Sequence, residues 1–217
     1  CDYCDTPLCH VKLDRARVEV EAGRRVFESW PNPVSLDRLL QGIERLAGPR
    51  GLHHSASFTG GEPLLHARTV AACSGRVREL GMKVYLETNG HLDRALAPIV
   101  DSIDIVGMDI KIASTTGLEP DHAANRRFLE VATRAGCEVF VKIVVGCDTS
   151  DDELGAALAV VSDVALATPV ILQPVTPFRG HGVPPDPDRL LLLQEFALTR
   201  IPDVAVIPQT HKMLNQL

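Results

Sequence analysis

Apolar runs bounded by turn residues alternate with amphipathic stretches over most of the chain. Short apolar segments at 56–59, 83–87, 103–109, 138–145, 169–173 and 204–208 read as strands. Between them, residues 65–80, 91–100, 121–135, 151–165 and 188–200 carry helical periodicity. Local signals agree with this division. Gly81 and Gly136 follow two of the helices as stops, and Asn89-Gly90 marks a turn. Ser150 is a good N-cap ahead of Asp151, Asp152 and Glu153, whose charges suit a helix N-terminus. Strands that are apolar nearly throughout are buried on both faces, and between helices this means a parallel sheet. Repeated β–α units predict either a barrel or an open doubly wound sheet. Residues 13–33 break the rhythm. The alternation Arg17-Val18-Glu19-Val20-Glu21 predicts a strand of an insertion, and 31–33 lead into a helix over 34–46. Residues 175–187 read as a Pro- and Gly-rich loop.

Composition narrows the class. The chain has 217 residues, enough for one domain with a sizeable core. Hydrophobic residues are 45% and aromatics only 4%, so the core is expected to be Leu, Val, Ile and Ala. A net charge of -6 argues against broad nucleic-acid or anionic-membrane binding. No apolar run reaches membrane-spanning length and no signal peptide is visible, so a cytoplasmic location is expected. The chain opens on Cys1 rather than Met, inside a motif, and an upstream portion is expected to be missing.

Polar residues gather just after the strands, at 59–62, 87–89, 109–111, 173–176 and 209–211. In α/β barrels that edge carries the chemistry. Cys1-Asp2-Tyr3-Cys4 suits a zinc site, a redox pair or an iron–sulfur site, and Cys9 and His10 lie close enough to add ligands. Phe58-Thr59-Gly60-Gly61-Glu62-Pro63 follows a strand directly. Its glycines let the backbone approach a ligand, and Glu62 offers a carboxylate to an ammonium group. The plain alternative is a strand-to-helix turn. Cys73, Cys137 and Cys147 read as buried free thiols. His53-His54 read as a solvated loop, and His66, His122 and His181 have no metal-ligand spacing.

Together these motifs resemble the radical S-adenosylmethionine (SAM) superfamily, which binds a [4Fe-4S] cluster through Cys-x-x-x-Cys-x-aromatic-Cys. Cys1, Tyr3 and Cys4 match the last two thirds of that pattern, and the resemblance puts the first cysteine four residues before Cys1. A variant reading takes Cys9 as the third ligand. The fold implied is a partial (β/α)6 barrel of the radical SAM type, with mostly parallel strands and its N-terminal part missing. Residues 1–217 would then be a single, truncated radical SAM domain. The chemistry implied is chelation of the open iron by SAM and reductive cleavage to a 5′-deoxyadenosyl radical.

Within the superfamily, Cys4-Asp5-Thr6-Pro7, residues 59–63, Tyr85-Leu86-Glu87-Thr88-Asn89-Gly90, Gln173-Pro174-Val175-Thr176-Pro177 and Gln209-Thr210-His211-Lys212 resemble the 7-carboxy-7-deazaguanine synthases. The reaction implied turns 6-carboxy-5,6,7,8-tetrahydropterin into 7-carboxy-7-deazaguanine with loss of ammonia, a carbon–nitrogen lyase step of queuosine and deazapurine biosynthesis. The resemblance implies cluster ligation by Cys1 and Cys4, with a third ligand upstream, and Mg2+ on Thr6. It implies SAM contacts from Tyr3, Asp5, Gly60, Gly61, Glu62, Glu87, Asp109, Lys111, Gln173 and Thr176, and substrate contacts from Thr59 and His211. It also implies a flavodoxin or ferredoxin electron donor and a homodimer. Plainer readings stand beside these: Thr6 caps a turn, and Glu87 and Asp109 cap strand ends or pair with Lys83 and Lys142. The activases of glycyl-radical enzymes share Gly-Gly-Glu-Pro and a similar Asp-Ile-Lys, but usually carry His-Asn-Pro where this chain has Asp5-Thr6. A third reading is a barrel of the same type that binds a ligand or partner without a cluster.

Overall fold

The computed structural model describes residues 11–178, 180 and 182–210. Its first elements are an antiparallel hairpin, β1 (Arg15–Glu21) and β2 (Val26–Pro31), and a helix, α1 (Leu36–Ala47). Then come β3 (Ser55–Phe58), α2 (Ala67–Glu79), β4 (Lys83–Thr88), α3 (Asp93–Leu96), β5 (Ile105–Asp109), α4 (Ala113–Thr116) and α5 (His122–Arg134). The last are β6 (Glu138–Val145), α6 (Asp151–Ala165), β7 (Val170–Pro174), α7 (Pro187–Leu198) and β8 (Val204–Val206). No helix among the described residues is long and apolar enough to cross a membrane.

Strands β3 to β8 form one sheet in which every strand pairs in parallel with its neighbour in sequence. That order settles the choice left by periodicity. A doubly wound sheet reverses its strand order at a switch point. This sheet never does, as in a barrel wall.

The helix caps follow the sequence. Ser150 Oγ accepts from Glu153 N at 3.2 Å to start α6, and an Asp121 carboxylate oxygen accepts from Ala124 N at 2.9 Å to start α5. The segment expected as one helix over 91–100 is instead α3 followed by a 3₁₀ turn, Ala97–Ser102. Pro98 lacks the N–H an α-helix needs there and sits at the head of that turn.

One face of the sheet is fully packed. Val84, Leu86, Val106, Met108, Val141, Ile143 and Leu172 are buried and join one core with Val77 of α2, Phe128 of α5, Leu158 of α6 and Leu193 of α7. Strand alternation turns the residues between them to the other face. There the register pairs Tyr85 and Glu87 of β4 with Ile105 and Gly107 of β5, and Gly107 and Asp109 of β5 with Phe140 and Lys142 of β6. Parallel strands buried on both faces were expected to be apolar throughout. This face departs from that, and the departure marks the site.

Gly107 makes the aromatic part of this face possible. A Cβ there would lie 2.5 Å from the Tyr85 hydroxyl and 2.9 Å from Phe140 Cζ. Without it the two rings pack across β5 with centroids 6.1 Å apart. Gly107→Ala is expected to lower stability by about 1–3 kcal/mol through overpacking, read as a lower denaturation midpoint in urea. An unchanged midpoint would contradict this packing.

Candidate functional site

The loops that leave the C-terminal ends of β3 and β4 are joined by one carboxylate. Glu62 Oε1 accepts from Leu64 N at 3.1 Å and from Thr88 Oγ1 at 2.8 Å, and Oε2 accepts from Asn89 N at 3.0 Å. Glu62 thus caps the short 3₁₀ turn Pro63–His66 and ties the β3 loop to the β4 loop. The turn at Asn89-Gly90 is held from behind by Asn125 of α5. Asn125 is fully buried, and its amide nitrogen donates to Asn89 O at 3.0 Å and Gly90 O at 3.2 Å. Ahead of Glu62, Thr59, Gly60 and Gly61 are exposed. Gly60 has φ +123°, a conformation that disfavours any side chain, and open space lies where its Cβ would sit. The loop therefore presents bare backbone next to a fixed carboxylate.

Four charges gather across β4, β5 and β6 on the open face. Lys142 Nζ lies 2.5 Å from Glu87 Oε1 and 4.0 Å from Asp109 Oδ2. Lys111 Nζ donates to Asp109 Oδ2. Two anions and two cations balance. Asp109 is only 8% exposed, and its Oδ1 is buried with no hydrogen-bond partner among the described residues. A buried carboxylate oxygen without a donor is costly and rare, and a ligand donor would satisfy it. Beneath the cluster, burial pushes the Tyr85 phenol well up, and the Glu87 and Asp109 carboxylates push it further, so Tyr85 stays protonated.

The structure therefore brings together Thr59, Gly60, Gly61, Glu62, Glu87, Asp109 and Lys111 along one edge. Gln173, near the end of β7, and Thr176, just after it, are half-buried at the same edge, two strands from Asp109. The expected pairing of Glu87 with Lys142 is present. Lys83 instead pairs with Glu138 at the opposite end of the strands, 2.9 Å apart and exposed. Cys1, Tyr3, Cys4, Asp5, Thr6, Cys9, His10, His181 and His211 lie outside the described residues. Among the described residues no cluster of His, Cys, Asp or Glu could hold a metal ion, and Cys73, Cys137 and Cys147 are free. Cys73 is buried as expected. Cys147 is exposed, because it falls past the end of β6 in the loop rather than in the strand.

Lys142 was read in the sequence only as an ion-pair partner of Glu87 or Asp109, and Asn125 was not assigned. A lysine inside an otherwise apolar strand was the available signal for the first. No sequence signal distinguishes Asn125 from any helical asparagine.

The described geometry has relatives. A family model described as the radical SAM superfamily matches residues 1–161. A 7-carboxy-7-deazaguanine synthase of Geobacter sulfurreducens is 43% identical over 220 residues, which cover 100% of this chain and 85% of that protein. One of Thermococcus kodakarensis is 30% identical, covering 82% of this chain and 71% of that protein. Among solved structures, a domain of pyruvate-formate lyase-activating enzyme from Bacteroides vulgatus superimposes with a TM-score of 0.56 at 13% identity, over 70% of this chain and 98% of that one. Streptococcus suis SuiB, solved bound to S-adenosylmethionine, superimposes with a TM-score of 0.55 at 14% identity, over 88% of this chain and 45% of that one.

Proposed function

The chain belongs to the radical SAM superfamily and, within it, to the 7-carboxy-7-deazaguanine synthase family, and from that membership we propose that it converts 6-carboxy-5,6,7,8-tetrahydropterin to 7-carboxy-7-deazaguanine with loss of ammonia, as a carbon–nitrogen lyase. The observation that carries this reading is the 43% identity to the Geobacter sulfurreducens synthase across the whole of this chain.

The residues at the sheet edge fit SAM. Bare backbone at Gly60 and Gly61 accommodates its methionyl end, and Glu62, oriented by three donors, offers its remaining acceptor capacity to the ammonium. Lys111 offers its ammonium to the ligand's carboxylate. Glu87 and the orphaned Asp109 Oδ1 accept from ribose hydroxyls, with Gln173 and Thr176 completing the grip. Tyr3 and Asp5 flank the same ligand. Cys1 and Cys4, with a third cysteine upstream, hold a [4Fe-4S] cluster, and their thiolates suit iron. When bound, cluster and SAM together would supply hydrogen-atom abstraction, chemistry that closed-shell side chains cannot provide. Thr59, exposed beside the glycines, and His211 contact the pterin. Thr6 offers a hydroxyl to Mg2+. The same reading takes residues 1–217 as one radical SAM domain, working in the cytoplasm as a homodimer and reduced by a flavodoxin or ferredoxin.

Anaerobic protein reconstituted with iron and sulfide, then given SAM, dithionite, Mg2+ and the pterin, is expected to yield 7-carboxy-7-deazaguanine by mass spectrometry. SAM cleavage to 5′-deoxyadenosine without that product would overturn the substrate.

A further inference from the structure

A lysine is out of place in β6. The strand reads Glu138-Val139-Phe140-Val141-Lys142-Ile143-Val144-Val145, and Val141 and Ile143 on either side of Lys142 are fully buried in the core. The Lys142 side chain is 17% exposed. Such an ammonium is costly to desolvate unless anions hold it. Its partners are Glu87 and Asp109, both placed above among the SAM contacts.

The two partners are unequal. Asp109 already has Lys111, and Lys142 stands 4.0 Å from it. Glu87 lies at 2.5 Å, and Lys142 is the ion-pair partner shown for it among the described residues. A glutamate has three rotatable side-chain bonds and loses conformational freedom when it is fixed. Lys142 has already immobilised it.

We propose that Lys142 is a positioning residue for SAM, its ammonium holding the Glu87 carboxylate in the orientation in which that carboxylate accepts from the ligand. Lys142 acts through Glu87 and does not itself touch the ligand. The inference rests on the reading of this edge as the SAM site.

Titration calorimetry with SAM, without reductant, tests it on anaerobic reconstituted protein. K142M is expected to weaken binding about tenfold, the loss of one charge-assisted hydrogen bond's worth of preorganisation. K142R, which keeps the charge, is expected to return the Kd to within about threefold of wild type. In an E87Q background, K142M is expected to add less than about a further twofold, because residues that act as one unit are non-additive. K83M removes the exposed pair at the far end of the same face and is expected to leave the Kd unchanged. If K142M does not fold, judged by its thermal transition, K142Q carries the same cycle. A K142M protein with wild-type Kd overturns the inference, and so does an equal loss with and without Glu87. Wild-type protein that does not bind SAM overturns the reading of the site as well, which separates the two failures.

Discussion

Glu62→Ala is expected to weaken SAM binding by at least about a hundredfold and to lower stability by about 1–3 kcal/mol. The size follows from how many groups depend on one carboxylate. Leu64 N, Thr88 Oγ1 and Asn89 N all donate to it. Thr88 is 3% exposed, so its hydroxyl has little water to turn to once the carboxylate is gone. Removal also frees the β3 loop from the β4 loop, and the ligand would then have to order the Gly60-Gly61 backbone on binding. Glu62→Gln is the sharper variant. Its Oε1 can still accept from Thr88 and Leu64, but its amide nitrogen cannot accept from Asn89 N. It is expected to fold nearly as well as wild type and to bind SAM poorly. Calorimetry and a thermal melt separate the two effects. SAM binding by Glu62→Ala at the wild-type Kd would contradict the assignment.

Cys4→Ala is expected to abolish the brown absorption of reconstituted protein and to reduce SAM cleavage to background. Three thiolates are the minimum that holds a site-differentiated [4Fe-4S] cluster, and no other described cysteine can substitute. Cys73 is fully buried in α2, where burial raises its thiol pKa, and Cys137 is half-buried against the carbonyls of Val100 and Ile103. Cys147 is exposed but stands alone. Cys147→Ser is therefore expected to keep both cluster and activity. A brown Cys4→Ala protein that still cleaves SAM would move the cluster elsewhere, with Cys9 the first residue to examine.

Legibility in the sequence tracked how local each determinant is. The bounds of β6 and α6 match their expected spans, because an apolar run and a Ser150 cap with three acids after it are short-range signals. Strand β2 was not foreseen. Its place depends on pairing with β1 and on the Arg17 guanidinium stacked 3.7 Å over Phe27, and neither is visible along one strand. Helix α4 was missed because Ser-Thr-Thr is poor helix sequence; its Thr116 Oγ1 donates to Ile112 O at 2.7 Å, a side-chain bond that competes with the backbone ladder. The site divides the same way. Gly60, Gly61 and Glu62 are contiguous and carry a pattern. The joining of Glu62 to Thr88 and Asn89, and of Glu87 to Lys142 55 residues away, depends on strands lying side by side.

The most direct test of the account is where SAM protects the chain. A cavity of about 560 Å³ lies away from the sheet edge, between the hairpin and α1, lined by Glu28, Trp30 and Arg38. Hydrogen–deuterium exchange of the reconstituted protein, with and without SAM, distinguishes the two places. Slowed exchange is expected in peptides covering 59–64, 87–91 and 109–112, with no change in β1, β2 or α1. Protection confined to the hairpin and α1, with the Glu62 loop unaffected, would contradict it.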